Sequence, residues 1–202
     1  MNRVIFFVDG FNLYHAIAAK PALRKYRWLN LYSLCSSFLS SRERLVKIFF
    51  FTAYYPDNPG RRLRHQTYVR ALQLYDVVPV FGEFKRKDKY CGFCKKTYPG
   101  YEEKQTDVNI AIELFRQAVH DGYDTAFILS GDSDLLPAIR AVKTTFPSKT
   151  IKLLLPPERR SESLKNEVHS FMRMKERHLV AHQFPDPINV KGVIIPKPVE
   201  WK

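Results

Sequence analysis

Polar residues that could hold a divalent cation occur in three short segments of this chain. They are Asp9 and Asn12 in the first segment, Asp107 in the second, and Asp132 and Asp134 in the third. Carboxylate and amide oxygens are ligands of hard cations such as Mg²⁺. A cation held in this way can activate water against a phosphodiester bond without a side-chain nucleophile. The chemistry that these residue types suggest is therefore metal-dependent hydrolysis.

The elements that must position these residues alternate between short apolar runs and longer helical patterns. The apolar runs predict buried strands at 4–8, 46–51, 77–81, 126–129 and 151–155. Helical spacing predicts helices at 31–39, 61–75, 107–121 and 135–144. This alternation predicts an α/β fold with three layers, α/β/α, and a mainly parallel sheet.

Three of the acids follow the ends of predicted strands. Asp9 closes the first apolar run, and Asp132 and Asp134 follow the fourth. In open parallel sheets ligands bind beyond the carboxyl ends of the strands, so these carboxylates are expected at one edge. A helix starting near Ser133 would point its positive N-terminus at them. The alternatives are a helix cap for Asp132 and a cap or turn for Asn12.

Asp107 is predicted on the apolar face of its helix, where an unpaired carboxylate is costly. Either Lys104 pairs with it or a metal ion does. Glu113 is predicted on the solvated stripe and is therefore not a candidate ligand. The apolar face contains Ile110, Ala111, Leu114, Phe115 and Ala118.

Three motifs, taken in order, resemble the NYN domain family, a PIN-like group of predicted ribonucleases. They are Phe7-Val8-Asp9-Gly10-Phe11-Asn12-Leu13, Glu103-Lys104-Gln105-Thr106-Asp107-Val108-Asn109 and Leu129-Ser130-Gly131-Asp132-Ser133-Asp134-Leu135. The ordered triple is more specific than any single motif, and the resemblance covers roughly residues 1–180. Residues 181–202 are expected to form an extended, proline-rich C-terminal arm that packs on the core or on a second subunit.

The resemblance implies a PIN-like fold and an acidic cluster that binds Mg²⁺ or Mn²⁺ and cuts RNA, with single-stranded RNA the expected substrate. It implies metal-site roles for Asp9, Asp107, Asp132 and Asp134. Asn12 and Ser130 match polar residues that help to arrange such a site.

The charge of the chain favours a polyanionic partner. Thirty-three Lys and Arg against twenty Asp and Glu give a net charge of +13 and a pI near 9.7. A basic and aromatic segment at 85–101 is expected to form a long functional loop or small lobe, with a solvated charge run as the alternative. The candidate nucleic-acid-binding residues are Lys85, Arg86, Lys87, Lys89, Lys95, Lys96, Arg159 and Arg160.

The same segment carries Cys91 and Cys94, half of a zinc site. Cys35, His65 or a second subunit would have to complete the shell, and two reduced cysteines in a turn is the simpler interpretation. An odd number of cysteines argues against a secreted disulfide framework. With no apolar run near the roughly 20 residues that span a bilayer, we expect a cytoplasmic protein.

Two other functions compete with the ribonuclease. A phosphatase group also places an Asp after its first strand, but its chemistry usually needs a second acid two residues later, where this chain has Phe11. The other alternative is a non-catalytic RNA-binding module whose acids hold a structural ion.

Overall fold

A parallel six-stranded sheet lies at the centre of the computed structural model, which describes residues 1–201. The strands are β1 (Asn2–Asp9), β2 (Glu43–Thr52), β3 (Val77–Phe81), β4 (Glu83–Tyr90), β5 (Thr97–Lys104), β6 (Thr125–Leu129), β7 (Thr150–Leu155), β8 (Ser170–Arg173), β9 (Ile188–Val190) and β10 (Val193–Ile195). The central sheet has the order β3-β2-β1-β6-β7-β8, and its neighbouring strands are parallel.

Helices connect the strands of this sheet. They are α1 (Gly10–Ala19), α2 (Leu31–Ser36), α3 (Pro59–Gln73), α4 (Thr106–Val119), α5 (Leu136–Thr145), α6 (Glu162–Glu167) and α7 (Glu176–Ala181). Short 3₁₀ segments occupy Pro21–Arg27, Ser133–Leu135 and Val199–Trp201. Among residues 1–201, no helix has the length and apolar character needed to cross a membrane.

Two separate apolar cores cover the two faces of the sheet. Because side chains alternate along a strand, β1 sends Val4, Phe6 and Val8 into one core and Ile5 and Phe7 into the other. Side chains of α1, α2, α3 and α7 pack in the first core. Those of α4, α5 and α6 pack in the second. The predicted three-layer α/β/α fold with a mainly parallel sheet is confirmed.

Some elements of the fold were not predicted from the sequence. Each predicted strand is present, but α1 and β8 were not predicted. The segment 85–101, expected as a loop or lobe, belongs to an antiparallel hairpin in which β4 pairs with β5. Both of its strands are rich in charged side chains, and β4 is almost fully exposed. It therefore lacks the apolar alternation that marks a strand.

The C-terminal arm packs on the core of its own chain. Phe184, Ile188 and Ile195 are buried in the first apolar core. The Trp201 ring lies 6.2 Å from that of Trp28, centroid to centroid. The arm is also less extended than predicted, because β9 and β10 form a small antiparallel hairpin within it.

Candidate active site

The order of the central sheet reverses at β1, which lies between β2 and β6. Connections on the two sides of such a point diverge and leave a crevice at the carboxyl ends of the strands, where ligands bind in open α/β sheets. Val8 pairs with Leu129 in the β1–β6 register, so the next residues on each strand, Asp9 and Ser130, come side by side. The first and third sequence motifs therefore meet at this crevice.

Asp9 is held firmly at the bottom of the crevice. It is 4% exposed, and its two carboxylate oxygens accept hydrogen bonds from the Asn12 backbone N–H at 2.9 Å and the Ser130 hydroxyl at 2.8 Å. Burial raises the pKa of Asp9, and these two hydrogen bonds oppose the shift. Glycine is needed at position 10, the first residue of α1, because a Cβ there would lie 2.6 Å from the Phe51 carbonyl oxygen.

Hydrogen bonds hold the loop after β6 beside Asp9 and the first turn of α1. The Asn12 side-chain oxygen accepts the Gly131 N–H at 3.0 Å, and the Ser130 hydroxyl accepts the Asp132 N–H at 3.1 Å. Asn12, in the first turn of α1, therefore joins this helix to the loop after β6 and does not cap a helix. The Asp132 side chain does act as a cap, because it accepts the Asp134 N–H at 3.0 Å. Asp134 itself is exposed.

Asp107 enters the site from the first turn of α4 and is half-buried. Its pKa is raised to about 6, first by burial and then by Asp9, with Asp132, Glu103 and Asp134 adding to the effect. Carboxylates of all three motifs therefore lie within electrostatic range at one site. Lys104 pairs with Glu102 at 3.3 Å and makes no salt bridge to Asp107, so the alternative of a Lys104 partner is wrong.

Glu103 is an acid of this site that the sequence interpretation did not single out. Its carboxylate accepts the Thr106 backbone N–H at 3.0 Å, and the Thr106 hydroxyl donates to it as well. It also contributes to the raised pKa of Asp9 and of Asp107. Its position within the second motif, four residues before Asp107, was the available signal. We call Asp9, Glu103, Asp107, Asp132 and Asp134 the acidic site.

Glu113 does not lie on a solvated stripe, contrary to the prediction. It is 8% exposed, and its carboxylate accepts hydrogen bonds from Arg116 and Gln117 one turn later. Pairing along its own helix makes this burial tolerable. The conclusion that Glu113 is no metal ligand therefore rests on its partners and not on exposure.

The donor set of the acidic site fits a magnesium or manganese ion. Among residues 1–201, no Lys, Arg or His forms a salt bridge with Asp9, Asp107, Asp132 or Asp134. Unbalanced negative charge at oxygen ligands is what a hard cation would neutralise. In the same part of the chain, no three His, Cys, Asp or Glu side chains are placed so that they could hold a metal together. Magnesium keeps several waters and takes few carboxylates, so this spacing agrees with it.

Arg159 adds a cation beside the acids, as the sequence suggested for the turn after β7. A Cβ on Gly131 would lie 3.1 Å from the Arg159 Cβ, and Asn12 is the next neighbour of that position. Arg160 is exposed, and both arginines line a separate depression together with Lys20, Arg173 and Lys175. Of the two arginines, Arg159 is the one that the fold brings to the acidic site.

The remaining basic candidates lie on the β4–β5 hairpin, which projects from the domain. Lys85 pairs with Glu83 at 3.1 Å and Lys87 with Glu102 at 2.7 Å, so part of the positive charge is already neutralised. Arg86, Lys89, Lys95 and Lys96 form no salt bridge with the residues that the structure describes. These four are the cations that the hairpin can offer to a phosphate.

Cys91 and Cys94 are free thiols at the tip of the hairpin. Hydrogen bonds from the Cys94 and Phe93 backbone N–H groups lower the pKa of Cys91. Cys35 is fully buried in the first core, and His65 hydrogen-bonds Thr52, so neither is a third ligand at the tip. Of the completions considered for zinc, only a second subunit remains.

Comparisons with known proteins give a family, a relative and a solved structure that this chain resembles. The family model of the NYN domain matches residues 3–175. The chain is 23% identical to the 6-hydroxy-3-succinoylpyridine 3-monooxygenase HspA of Pseudomonas putida, over 98% of this chain and 75% of that protein. It also resembles the crystal structure of a Vibrio parahaemolyticus protein of unknown function, with a TM-score of 0.59, 15% identity, and 86% of this chain and 93% of the other covered. This last likeness shows the fold alone.

Proposed function

Because the chain belongs to the NYN family, which has a PIN-like, nuclease-type fold, we propose that it is a metal-dependent ribonuclease. The observation that carries the proposal is the acidic site: carboxylates from three separate motifs influence one another, without a cationic partner, at the switch point of the sheet. Such a cluster is costly to maintain in a fold unless a cation or a reaction requires it. The net charge of +13 makes a polyanion the natural substrate.

In this proposal one or two of Asp9, Asp107, Asp132 and Asp134 would hold the ion directly and the others through its bound waters, while Glu103 keeps the start of α4 in place. When bound, Mg²⁺ or Mn²⁺ would lower the pKa of a water molecule and stabilise the leaving oxyanion. Ser130 and Asn12 fix the carboxylate of Asp9 and the loop that carries Asp132. Arg159, beside Gly131, is placed to orient a phosphate of the substrate.

The experiment is cleavage of end-labelled single-stranded RNA in Mg²⁺, Mn²⁺ or EDTA. The wild type is expected to give metal-dependent products, and Asp9→Asn and Asp132→Asn to give none while still binding RNA. Asp76→Asn is the matched control, because Asp76 is exposed on the end of α3 and its φ of 58° suits Asn. Cleavage that persists in Asp9→Asn would remove the acidic site from the mechanism.

The second candidate is an RNA-binding module whose acids hold only a structural ion. It is favoured by the net charge of +13 and by the exposed cations of the β4–β5 hairpin, which suit RNA binding whether or not the acids take part in cleavage. Metal-independent RNA binding by the wild type, with no products under any condition, would support this candidate against the nuclease.

The name of the Pseudomonas relative states a different activity, that of a monooxygenase. At 23% identity we do not extend that activity to this chain. The acidic site supplies oxygen ligands and a place for a phosphate, which are the requirements of phosphodiester hydrolysis.

A further inference from the structure

A cavity of about 210 Å³ opens beside the acidic site. It lies between α1 and α3, and Gly10, the residue after Asp9, forms part of its wall. Thr52 and Ala53, at the carboxyl end of β2, form another part. Much of the remaining wall is aromatic, from Phe11, Tyr14, Phe50, Tyr55, Tyr68, Phe84 and Trp201. We call it the aromatic cavity.

Two arginines on its wall stack on these rings. The Arg61 guanidinium lies 5.0 Å from the centroid of Tyr55 and 5.6 Å from that of Tyr14. Arg27 lies 5.5 Å from the centroid of Tyr14. Within residues 1–201, neither arginine forms a salt bridge, and the buried Nε of Arg27 has no hydrogen-bond partner. Among the described residues each of these guanidinium groups thus lacks a counter-charge, which an anion bound in the cavity would supply.

The aromatic cavity is connected to both the hairpin and the acidic site. Phe84, at the base of β4, packs edge-on against Phe11 and Tyr55, with ring centroids 5.6 and 5.2 Å apart. On the other side, burial lowers the pKa of His15, and Arg159 and Arg61 lower it further. His15 therefore lies within electrostatic range of one arginine beside the acids and one arginine of the cavity. A single strand of nucleic acid passing over this region would meet all three features.

We propose that the aromatic cavity binds one unstacked nucleobase of single-stranded RNA, with Arg27 and Arg61 contacting the phosphate attached to that nucleotide. The proposal rests on the proposed function, because the strand held in this way is the substrate of the acidic site. Every base offers a π face that stacks on tyrosine rings and guanidinium groups. A purely apolar ligand would leave both guanidinium groups without a counter-charge, whereas a nucleotide brings both a ring and an anion.

The size of the aromatic cavity supports a single base. Small-molecule sites usually measure about 300–1,000 Å³, and this cavity is smaller. A base fixed beside Gly10 would also determine which phosphate of the strand reaches Asp9. The position of the cut would then be set by its distance along the strand from the bound base.

Binding without cleavage tests the proposal, with EDTA present throughout. The probe is a short oligouridine in which one nucleotide at a time is replaced by an abasic site. The wild type is expected to bind about tenfold more weakly when the abasic site falls at one particular position. Tyr55→Leu should abolish this position dependence, and Tyr55→Phe should keep it because the phenyl ring still stacks. Tyr32→Leu, on the exposed surface of α2, is the control.

A second pair of variants tests the anion contact. Arg27→Met should weaken binding of uridine monophosphate, and Arg44→Met, at the exposed amino end of β2, should not. Equal binding of every abasic strand by the wild type would overturn the proposal. So would binding of the free nucleotide without any position dependence on the strand. If binding depends on the position of the abasic site but the protein never cuts RNA, the proposed nuclease activity is wrong and the base-binding proposal is supported.

Discussion

The acidic site and the β4–β5 hairpin carry the two sets of charges on which the proposed function depends. The acids are fixed by burial and hydrogen bonds, whereas the cations of the hairpin are exposed. The carboxylate of Asp9 is buried and accepts two hydrogen bonds, and the loop of Asp132 is fastened through Ser130 and Asn12. The hairpin cations are exposed, and Phe93 at the tip is 99% exposed. Chemistry at a bond needs fixed groups, whereas contacts to a flexible polyanion do not.

The acidic site and the hairpin also differ in their electrostatics. In the acidic site burial and the neighbouring carboxylates raise the pKa of Asp9 and of Asp107, which lowers the stability of the folded protein at neutral pH. On the hairpin, opposite charges pair across the strands, as between Lys87 and Glu102. Changes in the acidic site should therefore act on both stability and cleavage, while changes on the hairpin should act on salt-dependent binding.

The largest effect is expected for Asp107→Asn, which should lower cleavage by at least about a hundredfold, because changes around a metal ligand alone cost about 10- to 100-fold. The same change should stabilise the protein in EDTA at neutral pH. The raised pKa of about 6 means that the folded state resists ionisation of Asp107. Its contribution to the free energy of unfolding therefore falls as pH rises from about 4 through 6.

Chemical unfolding of wild type and Asp107→Asn at about pH 4 and about pH 8 measures this cost. The full shift would correspond to about 3 kcal/mol. Because Asp107 is only half-buried, solvent screening reduces the expected gain to about 1 kcal/mol at about pH 8, and to nothing at about pH 4. A variant that loses stability at both pH values would show that Asp107 has a structural partner instead.

A smaller effect is expected for Ser130→Ala, which removes the hydroxyl that donates to Asp9 and accepts from Asp132. Cleavage should fall about 10- to 100-fold, since residues that orient a metal ligand have effects of this size. RNA binding should be unchanged. Ser130→Thr keeps the hydroxyl and serves as the control for its loss. Full activity of Ser130→Ala would mean that the position of Asp9 does not depend on this bond.

The sequence predicted the acidic site better than it predicted the surroundings of that site. Asp9 and Asp132 could be placed because strand ends are marked by apolar runs, and parallel strands deliver their ends to one edge. Glu103 was not singled out because a helix-capping acid and an active-site acid look alike in sequence. The cavity beside Gly10 could not be predicted, because it depends on α1 lying opposite α3, and α1 was not predicted from the residues after Asp9.

The smallest effect is expected on the hairpin, where Lys89, Lys95 and Lys96 are exposed and free of salt bridges among residues 1–201. A triple Ala variant should bind RNA a few-fold more weakly, and the slope of log affinity against log salt should fall by about 0.7 for each phosphate of a single strand that the lysines no longer neutralise. The control with the same charge change replaces Arg42, Arg44 and Lys47, near the amino end of β2 and away from the acidic site. Cleavage by both variants at saturating RNA should equal that of the wild type, because neither change reaches the carboxylates. If the triple Ala variant instead cut RNA poorly even at saturation, the hairpin would be positioning the bond to be cut, and the division between a fixed acidic site and a loosely bound strand would not hold.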